Sequence, residues 1–293
     1  MNNNFVFADL STFGLDIAKS FYSKVFGWSF FSEDDSYYLA SYHKKEICGL
    51  YESPKKFRDM GMPSFWMSYI RVDDLEKTVE KARQLGGIIE LVDDNLPIGK
   101  IALIRDPLGA GFTVYQGNLL NSRFNNEENT LVWNELFISD ISRIRPFYEG
   151  IFDWKFQETE NRRFLIKNSS NETVGAIQEV ANKIKGDKEY WSVFFGVKNI
   201  EDIKSKVKAN GGKLVYEDGT TTILEDPFGA FFHIVPIQQN QAVFSSKKPV
   251  PWKAILGLTL VILSLITEWH WIWGIFFALW VISDLRSGST YLL

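Results

Sequence analysis

FYSKVFGWSF at residues 21–30 returns as FYEGIFDWKF at 147–156, an offset of 126. Outward from that pair, VDDLEKTVEKARQLGG at 72–87 matches VKNIEDIKSKVKANGG at 197–212, an offset of 125. DPLGAGFTV at 106–114 matches DPFGAFFHI at 226–234, an offset of 120. The matches keep their order, and the drift needs one short deletion between Gly212 and Asp226. Ordered self-similarity of this kind marks a duplicated structural unit. The chain is a tandem repeat.

Each copy reads alike. In the first, an extended segment at 5–12 precedes a helix at about 14–26, with Ile17, Phe21 and Val25 at four-residue spacing. Alternating stretches follow near 28–32, 37–42 and 46–52, then an extended segment at 64–72. Asp73 or Asp74 caps a second helix, which puts Leu75, Val79 and Ala82 on one face. Gly86-Gly87 stops it, since a helix commonly ends on a left-handed glycine. Strands at 88–92, 100–105 and 111–116 complete the copy, with a tight turn at Asp106-Pro107-Leu108-Gly109. Asp34-Asp35 and Asp93-Asp94 read as loop carboxylates, and Trp28 and Trp154 as core. The order is βαβββ twice per copy. This predicts an α+β body of two modules, 5–117 and 131–238, joined by a polar, Asn-rich linker at 118–130.

Composition narrows the function. Apolar residues make up 45% and charged residues 23%, enough for an ordinary core. The whole chain carries −4; residues 247–293 carry +2, so the first 246 carry −6. A mildly acidic body without a basic stripe argues against a nucleic-acid partner. Cys48 stands alone, which excludes an intramolecular disulfide and a thiolate cluster. The first residues show no basic segment followed by an apolar run, so the body is expected in the cytoplasm. No phosphate-cradling glycine loop, nucleophile elbow or dinucleotide fingerprint occurs.

Beyond a linker at 239–251 the composition changes. Residues 254–267 contain no charge, and 269–283 none if His270 is neutral. Each run would span about 21–22 Å as a helix, against an apolar bilayer core of about 30 Å. One continuous helix would carry Glu268 near its middle, at a cost of about 2.5–3.5 kcal/mol. A hairpin over 252–285 instead puts Glu268 at the far interface, with Trp269, Trp271 and Trp273. Trp252 and Trp280 then approach the near headgroups, beside Lys247, Lys248, Lys253 and Arg286. The expectation is a transmembrane helical hairpin, a short tail at 286–293, and modules on the cytoplasmic side of a membrane.

FYSKVFGW, the VDDLEKTVEKARQLGG helix, the DPLGA turn and their second-copy partners resemble the vicinal oxygen chelate superfamily of glyoxalase I, bleomycin-resistance proteins and extradiol dioxygenases. The resemblance covers about 5–117 and 131–238. It implies half-open cup sheets, many of which hold a divalent metal through His, Glu or Gln of the first, fourth, fifth and eighth strands. Side chains alternate across a strand, so each cup can be read by parity. In copy two Leu136, Ile138, Trp191, Val193, Phe195, Val197, Phe232 and Ile234 face the helices. Trp133, Glu135, Phe137, Ser192, Phe194, Phe231 and His233 then face the cup, and the fourth strand offers Gln178 or Glu179. In copy one the cup receives Phe7, Asp9, Met67, Tyr69, Arg71, Thr113 and Tyr115, which is not a metal-ligand set.

The ligand-binding candidates are therefore Trp133, Glu135, Phe194, Phe231, His233, Asp9 and Tyr69. No cofactor is expected, although Glu135, Gln178 and His233 leave a divalent metal in module 2 open. The simpler reading takes Glu135 as a solvated cup residue and His233 as a hydrogen-bonded side chain. No catalytic residue is assigned. The function expected is binding of a small organic molecule in an aromatic cup by a membrane-tethered protein, with homodimerisation left open. The alternatives are a metal-dependent lyase or isomerase acting from module 2, and a non-catalytic scaffold.

Overall fold

The computed structural model describes residues 3–32, 37–59, 61–96, 98–124, 126–217 and 222–237. The proposed tail and the linker before it lie outside them. No helix among the described residues is long and apolar enough to cross a membrane.

Module 1 runs β1 (Phe5–Thr12), α1 (Leu15–Phe26), β2 (Ser29–Phe31), β3 (Tyr37–Tyr42), β4 (Lys45–Glu52) and a short α2 (Lys55–Asp59). It continues with β5 (Phe65–Arg71), α3 (Leu75–Gln84), β6 (Ile88–Leu96), β7 (Gly99–Arg105) and β8 (Gly111–Gln116). Module 2 repeats the order with β9 (Leu131–Ile138), α4 (Arg145–Phe152), β10 (Lys155–Glu158), β11 (Arg163–Lys167) and β12 (Thr173–Glu179). After a short α5 (Asn182–Lys185) come β13 (Tyr190–Val197), α6 (Ile200–Ala209), β14 (Lys213–Glu217), β15 (Thr222–Glu225) and β16 (Phe231–Pro236). Each module forms one eight-stranded mixed sheet, ordered β2-β3-β4-β1-β5-β8-β7-β6 and β10-β11-β12-β9-β13-β16-β15-β14. Its two βαβββ halves meet between the first and fifth strands.

The helices obey their local signals. The Asp74 carboxylate accepts from the Lys77 amide, and Asn199 does the same for Asp202. Gly86 and Gly211 end these helices at φ 86° and 89°, in the left-handed region that glycine enters without a Cβ clash. In α1 the buried face is Ala18, Phe21, Tyr22, Val25 and Phe26, whereas Ile17 is 56% exposed. Four-residue spacing alone drifts around a 3.6-residue helix, so the run that begins at Ile17 leaves the core stripe by one position.

The modules do not stand apart. Leu75, Val79 and Ala82 of α3 share a core with Phe147, Tyr148, Ile151 and Phe152 of α4. Phe21, Tyr22 and Val25 of α1 share another with Ile203 and Val207 of α6. The helix-bearing faces of both sheets are thus buried against each other. Reciprocal hydrogen bonds tie them. The Tyr148 hydroxyl donates to Asp106 Oδ2 at 2.9 Å, and the Tyr22 hydroxyl to Asp226 Oδ2 at 3.2 Å. In each turn the other oxygen, Oδ1, accepts two backbone amides at 2.9 Å. The Trp28 indole donates to the Asn129 carbonyl and the Trp154 indole to that of Asn3. The linker is tied down as well: Leu120 and Ser122 are buried, and the Ser122 amide donates to the Val6 carbonyl.

Candidate functional site

Strand pairing fixes the register of the cup-facing residues. Asp9 lies opposite Gly49 on β4 and Met67 on β5. Its counterpart Glu135 lies opposite Ala176 on β12 and Ser192 on β13. Gln178, two residues beyond Ala176, faces the cup, whereas Glu179 accepts from the Ile141 amide and pairs with Arg162.

The two cups differ. Module 1's is filled by Phe7, Tyr37, Leu39, Tyr51, Tyr69, Ile101 and Tyr115, all buried. At its centre Asp9, 1% exposed, accepts from the Tyr37 hydroxyl at 2.5 Å and the Tyr69 hydroxyl at 2.6 Å. Burial raises this carboxyl to about 6, against the pull of the two hydroxyls in the other direction. A Cβ on Gly49 would meet the Tyr37 hydroxyl at 1.7 Å and Asp9 Oδ1 at 2.2 Å, so the cluster needs glycine there. Asp9 and Tyr69 are therefore parts of a closed polar core, a correction to their place among the ligand-binding candidates.

Module 2's cup is open. A cavity of about 880 Å³ is walled by Trp133, Phe137, Phe194 and Tyr216, with Val180, Ile223 and Val235. Its polar rim includes Glu135, Arg163, Gln178 and Asn161. Glu135 is not solvated as expected. It is 4% exposed and bound in bidentate fashion by Arg163, Nε to Oε1 at 2.8 Å and Nη2 to Oε2 at 2.9 Å. The Trp133 indole donates to Oε2 at 3.2 Å. A fork-to-fork pair of this kind fixes both partners in one plane. A second guanidinium, that of Arg123 in the linker, lies 5.1 Å from the Trp133 ring and donates to the Val132 and Val174 carbonyls.

His233 also departs from expectation. Fully buried, it is stacked on Phe194 at 4.2 Å and Phe137 at 4.7 Å between ring centroids. Neither ring nitrogen has a hydrogen-bond partner among the described residues, nor does Ser192 Oγ. Burial drives the imidazole down to about 3, so it is neutral. Phe231 packs against Tyr190. Of the candidates, Trp133, Glu135 and Phe194 reach the cavity wall, while Phe231 and His233 stand behind it.

Arg163 is the residue that sequence reading missed. Along β11, Phe164 and Ile166 enter the core, which turns Arg163 and Leu165 to the cup. The alternation was there to see, but pairing Arg163 with Glu135 required the order of β11, β12 and β9.

With this geometry in hand, the chain can be set beside known proteins. The sequence model of the Glyoxalase/Bleomycin resistance protein/Dioxygenase superfamily matches residues 6–114. The chain is 28% identical over 246 residues to the Mycobacterium tuberculosis protein named "Putative glyoxylase CFP32", covering 78% of this chain and 92% of that one. It is 25% identical over 252 residues to the anthracycline biosynthesis protein DnrV of Streptomyces peucetius, covering 77% and 90%. Among solved structures, a Mn(II)-bound glyoxalase from Novosphingobium aromaticivorans superposes with TM-score 0.56 at 11% identity, covering 86% and 94%. Homoprotocatechuate 2,3-dioxygenase from Brevibacterium fuscum does so with TM-score 0.56 at 17% identity, covering 85% and 84%. The chain shares its fold with these solved structures, and residues 6–114 match the superfamily's sequence model.

A metal in such relatives raises the question of whether these residues fit one. In module 1 the Asp9 oxygens are engaged by two tyrosines, and Gly49, Met67 and Thr113 complete the cup positions. In module 2 a guanidinium already neutralises Glu135, Ala176 has no donor atom, and His233 is stacked between phenyl rings. No group of three or more His, Cys, Asp or Glu converges among the described residues. The donor set does not fit a resident divalent ion in either cup.

Proposed function

We propose that the chain binds a small organic molecule with a flat apolar body in the cup of module 2, while module 1 serves as its packed support. The observation that carries this is the contrast between the cups: one filled around Asp9, the other open and walled by Trp133, Phe137, Phe194 and Tyr216. Aromatic walls with a few fixed polar groups are what small-molecule sites share. The name of the Streptomyces relative, an anthracycline biosynthesis protein, is in keeping with a polycyclic ligand. The mycobacterial relatives' name favours a second reading, a glyoxalase-type lyase or isomerase. Its test is metal analysis of the purified full chain, where one tightly held divalent ion lost on His233→Ala would overturn the metal-free reading and favour this one.

The cup itself is tested by Trp133→Ala and Phe194→Ala. Both variants should lose binding of flat aromatic compounds in titration calorimetry; Trp133→Ala should melt near the parent, whereas Phe194→Ala, which empties a contact with buried His233, should also lower the melting point. A loss of about 3–5 kcal/mol of stability by Trp133→Ala as well, with binding by either variant unchanged, would return both residues to the core.

The charge-free runs at 254–267 and 269–283 further suggest a membrane tether, with the modules on the side of Lys247, Lys248, Lys253 and Arg286. The protein should then stay with the membrane fraction through a carbonate wash. Release into the wash would remove the tether.

A further inference from the structure

The ion pair in the cup says more about the ligand than the aromatic walls do. Arg163 lines the cavity, yet only its Nε and Nη2 are bound, both to Glu135. Among the described residues Nη1 has no hydrogen-bond partner. The guanidinium is held in one plane by the bidentate pair, so its remaining edge has a fixed direction rather than a lysine's mobility. The site therefore offers one preorganised donor edge beside a cavity of about 880 Å³ with aromatic walls.

The charges decide which acceptor suits it. Glu135 cancels Arg163, and buried His233 is neutral and adds no positive charge. Glu160 on the rim adds a negative charge, and the Arg123 guanidinium beside the Trp133 ring, outside the cavity lining, offsets it. A ligand carboxylate would meet Glu135 and Glu160 with only the already paired Arg163 as a lining cation, and an organic cation would meet that guanidinium itself. A neutral oxygen acceptor carries neither repulsion nor the desolvation penalty of an ion.

We propose that Arg163 holds, through Nη1, the carbonyl oxygen of a neutral flat aromatic ketone or quinone lying in the module 2 cup. This rests on the reading of that cup as a binding site and adds the chemical class of its ligand. It also gives Glu135 a positioning role: the carboxylate aims the guanidinium and does not touch the ligand.

Four probes with one ring system separate these claims: naphthalene, methyl 2-naphthyl ketone, 2-naphthoate and 2-naphthylmethylammonium. Each is titrated into the full chain and into two variants, Arg163→Lys and the double variant Glu135→Gln/Arg163→Met. The double variant removes both charges together, because deleting one would strand the other in a buried site. The ketone should bind the parent most tightly of the four. The double variant should lose roughly tenfold or more in ketone affinity, the scale of a hydrogen bond to a charged group, with naphthalene unchanged. Arg163→Lys should lose less, and if the double variant is unfolded by its melting curve, this variant decides the matter by the same comparison. Equal affinity of ketone and naphthalene for the parent, or a ketone affinity insensitive to both variants, overturns the proposal and leaves the cup as a ring-binding site. Tightest binding of the naphthoate or the ammonium probe overturns it as well. Binding of none of the four overturns the cup reading and the proposal with it.

Discussion

Asp9 and Glu135 occupy the same place in the two repeats and have been put to different use by their neighbours. Asp9 is enclosed by tyrosine hydroxyls and apolar walls, and its carboxyl is raised to about 6 from an ordinary 3.8. A carboxyl raised on folding holds its proton more tightly in the folded state. Its contribution to stability is fully present below pH 3.8 and is lost as pH rises through about 6. The loss is about 3 kcal/mol at most, from the size of the shift. Asp9→Asn should flatten this part of the profile in denaturant titrations between pH 4 and 7. An unchanged slope would mean that Asp9 is not the group responsible. At this scale the sequence was partly legible. Parity on β9 and β13 placed Trp133, Glu135 and Phe194 correctly in the cup. It could not say that Glu135 is neutralised, since Arg163 lies 28 residues away and reaches it across β12.

At the scale of elements, the motifs that reveal the repeat are also the ones that lock its halves. FYSKVFGW and FYEGIFDW supply Tyr22 and Tyr148, and the two DPxG turns supply Asp226 and Asp106, each pair formed across modules. Local reading sees in DPLG only a turn, because the turn amides explain the aspartate by themselves. Tyr148→Phe should cost about 1–3 kcal/mol, since it strips a donor from buried Asp106 and an acceptor from the Trp191 indole. Tyr22→Phe should cost less, because it strips only the donor from Asp226; the Trp66 indole, counterpart of Trp191, has no partner among the described residues. Chemical denaturation measures both, and a loss within 0.5 kcal/mol would deny these bonds a structural part. Asp93 and Asp94, taken for a loop, belong to β6, where Asp93 pairs with Ile101. The polarity of DDNL hides a strand because cross-strand pairing, not propensity, extends it.

Across the whole molecule the duplicated frame is repeated but its cups are filled differently. Order, strand number and helix capping were legible because each is local and stated twice. The shared cores were not, since no pattern in one module says that α3 will pack on α4, or α1 on α6. Nor does the pattern say which cup will close. Closure of the first follows from bulk: tyrosines at 37, 51, 69 and 115 and Phe7 converge there, with Gly49 leaving room for the Tyr37 hydroxyl. The second has Arg163, Gln178 and Asn161 at its rim and stays open. The central claim is that one cup binds and the other supports. A crystal structure of the full chain grown with methyl 2-naphthyl ketone tests it most directly. The account predicts one probe per chain, its rings among Trp133, Phe137 and Phe194, with Asp9 still enclosed by Tyr37 and Tyr69. Density for the probe beside Asp9, with the module 2 cup empty at saturating probe, would contradict it.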